Sequence, residues 1–164
     1  MTPSLQRLIE SLREELKQYG EMLAILDQQQ ECVLSRHTQD LLRTVVDIHA
    51  QAAQLQDVRR QRQHIQQDLT RELRADAKAS IADLTRLVPA DYQPLLQALV
   101  EENNQLLIRV QHRARQNHLL LNRSLELLQR FINVLAPGNA PVYNESGALL
   151  SAPLSTQPLY EAVG

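Results

Sequence analysis

Five histidines, one cysteine and two pairs of adjacent carboxylates are the side chains in this sequence that could do chemistry. A helical zinc site needs two histidines four residues apart with a flanking glutamate, so that both imidazoles share one face. His37, His49, His64, His112 and His118 provide no such pair, and Cys32 has no second thiolate to complete a site. Neither a metal nor a cofactor is expected. The pairs Glu14–Glu15 and Glu101–Glu102 are adjacent, which on a helix points their carboxylates about 100° apart. Neither pair can converge on a substrate as a general acid and base must, so both read as ordinary helix-surface residues. With four glycines in the chain there is no phosphate-cradling loop, no G-x-S-x-G elbow and no catalytic Cys-His context. His118 reads as a core or edge histidine and Cys32 as a small core filler. The expectation is a protein that is not an enzyme.

A different chemistry, recognition through apolar surface, is written into the last third. Leu119, Leu120, Leu121, Leu125, Leu127, Leu128, Phe131, Ile132, Val134 and Leu135 cover well over half the circumference of a helix. A helix wetted on one side needs a single apolar stripe, so this one needs more than one neighbour, and one neighbour can be another protein. Asn103, Asn104, Asn117 and Asn122 interrupt the leucines. They can be register-setting amides between helices, paired at some cost in stability. Alternatively, Asn117 and Asn122 border a groove and hydrogen-bond the backbone of a bound peptide.

The elements that would hold these residues are all helical. The 164 residues are 43% hydrophobic, enough for one domain with a core, while 3% aromatic residues and no Trp argue against sandwiches, barrels and nucleotide-binding α/β units. Seventeen Lys and Arg against nineteen Asp and Glu leave no field to recruit nucleic acid or an anionic membrane. The opening Met1-Thr2-Pro3-Ser4-Leu5-Gln6-Arg7 is not a signal peptide, and no apolar run approaches the roughly 18 to 20 residues of a membrane span. A lone Cys fits a reducing compartment. The reading is a soluble cytoplasmic protein that neither inserts in a membrane nor binds nucleic acid.

Along the chain, Ser4, or Thr2 followed by Pro3, can cap a first helix. Its heptad seam is Leu5, Leu8, Leu12, Leu16, Tyr19, Leu23, Leu26, Gln30 and Val33. The stripe resumes as Leu41, Val45, Ile48, Ala52 and Leu55, which predicts a near-continuous helix with a kink or break near residues 34 to 38; Ser35 is an alternative cap. From Gln54 to Arg74 apolar residues thin to Leu55, Val58, Ile65, Leu69 and Leu73, reading as a projecting, mostly solvated helix. Arg59, Arg60, Arg62, His64 and Arg71 would be a nucleic-acid arm were they not interrupted by Asp57, Asp68 and Glu72. Asp76 can cap a short helix that ends at Pro89. Between Pro94 and Pro137 no Gly or Pro occurs, so the last helix would extend about 60 Å at roughly 1.5 Å per residue. Its partner must be long too. The expected fold is all-α: an elongated antiparallel bundle over residues 1–136, followed by a flexible C-terminal tail, 137–164, bearing short linear motifs.

The order of these elements resembles the FlgN family of flagellar type III export chaperones. The matching features are Leu12-x3-Leu16-x2-Tyr19-x3-Leu23-x2-Leu26-x-Gln28-Gln29, the Arg-rich second segment, Ile81-x2-Leu84-x2-Leu87-x-Pro89, Asn117-x4-Asn122-x2-Leu125 and Val142-Tyr143-x3-Gly147. The resemblance implies a cytoplasmic chaperone that binds the hook-filament junction proteins FlgK and FlgL and delivers them to the export gate protein FlhA. Cargo would lie against Leu125, Leu128, Phe131, Ile132, Leu135, Asn117 and Asn122. The tail tyrosine that the family associates with gate docking matches Tyr143, with Gly147, Leu149 and Leu150 beside it. The alternative from another class is a structural coiled-coil homodimer without cargo, its surplus leucines facing a second copy.

Overall fold

The computed structural model describes residues 2–135. Four helices, α1 (Pro3–Ser35), α2 (Thr38–Glu72), α3 (Ile81–Leu87) and α4 (Gln93–Leu135), follow one another with a single 3₁₀ turn at Ala90–Tyr92. No strand occurs among the described residues, and the fold is the expected all-α helical bundle. By compactness the chain divides into Met1–Leu121 and Asn122–Gly164, so α4 contributes to both units.

The helix ends follow from local chemistry. Thr2 caps α1, its Oγ1 accepting from the Leu5 N–H at 3.4 Å, and Pro3 takes the first turn where its missing N–H costs nothing. The break predicted near residues 34 to 38 is a chain reversal rather than a kink in a near-continuous helix. Arg36 turns left-handed at φ 60°, and the His37 N–H closes back on the Cys32 carbonyl at 3.1 Å, a Schellman-type stop. His37, not Ser35, occupies the cap position of α2, and the Ser35 hydroxyl donates back to the Glu31 carbonyl. A second left-handed residue, Arg74, ends α2, with the Ala75 N–H on the Thr70 carbonyl at 3.0 Å. Asp76 does not cap α3. Ser80 does, in a reciprocal box with Asp83 whose carboxylate accepts from the Ser80 N–H at 3.0 Å. These Ser80 hydrogen bonds hold the Asp83 carboxyl below its ordinary range.

In the first unit α1 and α2 form an antiparallel hairpin, since moving forward on α1 from Glu15 to Gln18 moves the partner back from Arg62 to Gln51. The third long helix runs parallel to α1. Asn103 Nδ2 donates to the Leu12 carbonyl at 3.0 Å and Asn117 Nδ2 to the Leu26 carbonyl at 2.7 Å, a constant offset between the two helices. Two apolar clusters result. One joins Leu5, Leu8, Ile9 and Leu12 to Leu69, Leu84, Val88, Leu96 and Leu99, and the other joins Tyr19, Met22 and Leu26 to Leu55.

Between the clusters lies a polar layer, and it shifts the expected seam. After Leu12 the inward face of α1 runs through Glu15, Gln18, Tyr19, Met22, Leu26, Gln29 and Cys32, whereas Leu16, Leu23, Gln30 and Val33 are only half-buried. Glu15, expected on the surface, is 4% exposed. Burying a carboxylate is tolerable only with partners, and it has three: Arg62 Nε at 2.5 Å, Arg59 Nε at 3.8 Å and the Tyr19 hydroxyl, which donates at 3.1 Å. Burial, and then the Glu15 charge, push the Tyr19 hydroxyl from 10.0 up to about 12. The second half of α2 is therefore not simply a solvated arm: Arg62 is turned inward, and Leu55, Leu69 and Thr70 are buried.

Candidate functional site

The candidate site is the C-terminal part of α4, whose local sequence favours helix throughout: Leu, Arg, Glu and Gln dominate and no Gly or Pro interrupts it. Every residue from Asn122 to Leu135 is exposed. Leu125, Leu127, Leu128, Phe131, Ile132, Val134 and Leu135 all present large apolar side chains to solvent, from 45% exposed at Leu125 to 76% at Val134. Leu125, Leu128, Ile132 and Leu135 recur at steps of three, four and three, so helical geometry puts them in one line with Phe131 at its flank. Leu127 and Val134 lie off that line. Arg123, Glu126 and Arg130 carry the segment's charges and lie away from the line at about 100° per residue.

The structure thus brings together five of the residues expected to bind a partner. Asn122 is exposed in the same segment. Asn117 has a different setting: it is 1% exposed, and its Nδ2 bonds the Leu26 carbonyl and, at 3.0 Å, Gln29 Oε1. Asn103 is engaged in the same way with Leu12 and Leu99. These two amides tie α4 to α1, and each leaves its Oδ1 buried with no hydrogen-bond partner among the described residues, a cost in stability. His118 is exposed rather than in the core. Tyr143, Gly147, Leu149 and Leu150, the residues expected to dock the gate, lie outside the described residues.

What this arrangement can do is bind, by burial of apolar area, a segment that brings its own apolar face. No cluster of three or more His, Cys, Asp or Glu suited to a metal ion occurs among the described residues. A cleft of about 210 Å³ elsewhere, bounded by Gln6, Ile9, Glu10, Arg13, Tyr92 and Leu95, is lined mainly by apolar surface. Its one carboxylate, Glu10, is bonded by Gln6 at 3.1 Å. No helix among the described residues is long and apolar enough to cross a membrane.

Comparison with known families decides what kind of protein carries this surface. The family described as FlgN protein matches residues 1–151, most of the chain. The chain belongs to the FlgN family. That family is one of flagellar export chaperones, so the general role of this chain is chaperoning in flagellar assembly. The match extends past the described residues and takes in positions 143 to 150. No curated protein and no solved structure matches the chain.

Sequence reasoning missed the buried ion pair of Glu15 with Arg62 and the Gln18–Gln51 bond at 2.7 Å that lies beside it. One signal is present in the sequence: from Leu12 the steps of three and four run equally well through Glu15, Tyr19, Met22, Leu26 and Gln29, a register that carries polar residues.

Proposed function

We propose that this FlgN protein is a cytoplasmic chaperone that holds hook-filament junction proteins of the FlgK and FlgL type and delivers them to the export gate protein FlhA. The observation that carries the reading is the exposed run Leu125, Leu127, Leu128, Phe131, Ile132, Val134 and Leu135 on a chain of a chaperone family. Such a surface on one helix takes an amphipathic segment whose anchors recur every three or four residues. Covering that segment keeps the cargo from associating before export. Asn122 offers the cargo an amide at the edge of the line. Residues 1–136 act as the helical domain and 137–164 as the tail, in which Tyr143 is the gate anchor with Gly147, Leu149 and Leu150 around it. A Tyr supplies a rigid ring and one hydroxyl, which often dominates the affinity of a short motif.

Co-purification with FlgK or FlgL tests the cargo assignment. Phe131→Ala together with Ile132→Ala should abolish capture while helicity by circular dichroism is retained. Tyr143→Ala should keep cargo and lose FlhA; unchanged gate binding would transfer docking to Leu149, Leu150 or the helical surface. The same exposed leucines favour one second reading, a structural coiled-coil homodimer. Mixing separates the two: cargo forms a heterocomplex with a chaperone, whereas a tight homodimer stays indifferent to it.

A further inference from the structure

The outward face of α2 carries an apolar surface that the chaperone reading does not use. Gln39, Arg43, Val46, Ala50, Ala53, Asp57 and Arg60 recur at alternating steps of four and three, the spacing of a helix-pairing seam, and all of them are exposed. Val46 stands 66% exposed and Leu42, beside it, 64%. Leu55, buried against α1, is nine residues from Val46, about half a turn out of phase at 100° per residue, so the seam faces away from the core. From Ile48 to Gln56 no residue carries a formal charge. A face kept in solution only by water is normally dressed with Lys and Glu, and between Ile48 and Gln56 this one is not.

The charges that bound the apolar stretch say what fits it. In sequence they read Asp40, Arg43, Asp47, then Asp57, Arg59, Arg60, of which Arg59 is turned to Glu15 of α1 at 3.8 Å. Two copies of α2 laid antiparallel with Ala50 on the two-fold axis put positions whose numbers sum to 100 opposite each other. Asp40 then meets Arg60 of the other copy and Arg43 meets Asp57, each pairing occurring twice. Leu42 meets Val58, Asp47 meets the neutral Ala53, and Ala50 meets itself, where its small side chain lets the backbones approach. A parallel pairing would set Asp40, Arg43, Asp57 and Arg60 each against its own kind, which is repulsive. Asp57 already holds Arg60 at 2.8 Å within its own helix, an exposed contact that contributes little and is free to be shared. Arg43 and Asp40 have no ion pair among the described residues, so neither charge must be taken from an existing partner.

We infer that this protein self-associates through the outward face of α2 as an antiparallel, two-fold symmetric pair centred on Ala50. A self-complementary patch of this kind closes at two copies and does not propagate. The proposal is independent of the cargo surface on α4.

Sedimentation equilibrium of the full chain with and without charge reversals tests it. The wild type should show a monomer–dimer equilibrium. Arg43→Asp and Asp57→Arg should each weaken it by about tenfold or more, because each places like charges across the axis twice. The double reversal R43D/D57R should restore affinity to within about threefold, since the pairs re-form with exchanged sign. All these positions are exposed, so unchanged circular dichroism is expected throughout. Under mild oxidation Ala50→Cys should cross-link to itself, as only residues near the axis come within about 7 Å between Cα atoms, while Gln105→Cys on the exposed face of α4 should not. A monomer at every concentration up to millimolar overturns the inference. So does a dimer that ignores the single reversals, or one that the double reversal fails to recover.

Discussion

The same helix, α4, is built in two ways. In residues 93–121 it buries Leu96 and Leu99 completely or nearly so and sinks Asn103 and Asn117 against α1, while in residues 122–135 a denser set of apolar side chains is left in water. Composition does not separate the two stretches; the presence of covering neighbours does. Burying a leucine is worth about 1.5 to 3 kcal/mol, a gain the first stretch realises and the second forgoes. A helix end that carries Leu125, Leu128, Phe131, Ile132 and Leu135 exposed leaves that gain unrealised among the described residues.

The sharpest way to break this contrast is to delete apolar volume where it is buried. Leu8→Ala and Leu96→Ala, at positions with no exposure at all, should each cost about 2 to 5 kcal/mol in urea denaturation, because both sides of the cavity are fixed by neighbouring helices. A loss below about 1 kcal/mol at either position would mean that the Leu5–Leu99 cluster is not the folding core. Next in size is the polar layer. Glu15→Ala leaves Arg62, itself mostly buried, without its carboxylate and with Arg59 nearby, and removal of one member of a buried pair typically costs about 3 to 5 kcal/mol. Arg59 is half exposed and Arg62 keeps Gln66 at 3.2 Å, so the lower end of that range is expected. Double-mutant cycles with Arg62→Met should recover part of it.

Alkaline titration reads the same layer differently. The Tyr19 hydroxyl is raised from 10.0 to about 12 by its burial and by Glu15. The unfolded chain therefore loses this proton first, so the contribution is fully present below pH 10 and disappears as pH rises from 10 towards 12. Tyr19→Phe should flatten the melting temperature across that window relative to wild type; an unchanged slope would show that Tyr19 is not the group responsible. A smaller effect of opposite sign is expected at Gly20, inside α1. A Cβ built there meets only Leu106 Cδ2, at an ordinary contact of 4.0 Å. Gly20→Ala should stabilise by about 0.5 to 1 kcal/mol through the lower helix cost of Ala, measurable as a raised denaturation midpoint with an unchanged slope.

What could be read from sequence was local, and what could not was long-range. Thr2 with Pro3, the interruption near residues 34 to 38 and the stop at Pro89 depend on residues a few positions apart, and the helices begin and end there. Ser80 against Asp76 shows the limit even locally: both can cap, and the reciprocal bond with Asp83 selects Ser80. The inward turn of Glu15, Gln18 and Gln29 depends on Arg62, Gln51 and Asn117, which come from other helices, and without those partners a polar residue on a seam looks like a surface residue. The direction of α4 relative to α1 is likewise invisible in either helix alone. The crowding of α4 by leucines was plain in the sequence. That the crowding stays uncovered from Asn122 onward is not a property of those residues but of what fails to pack on them among the described ones.

The smallest stability effect should fall at the exposed end, and it is the most informative. Leu128→Ala removes a side chain that is 54% exposed, and substitutions on exposed surface ordinarily change stability by less than about 0.5 kcal/mol. Its urea midpoint should match wild type within that margin, in contrast to Leu96→Ala on the same helix. Cargo capture should nevertheless fall, because in a heterocomplex Leu128 would sit in the middle of the Leu125–Leu135 line and lose contacts on both sides. A loss of stability comparable to that of Leu96→Ala would mean that the segment is already covered in the free protein. Capture would then have to displace the cover, and the two stretches of α4 would differ less than their exposure indicates. Equal stability with undiminished capture would instead move the anchor to Phe131 and Ile132, the remaining apolar residues closest to the centre of the line.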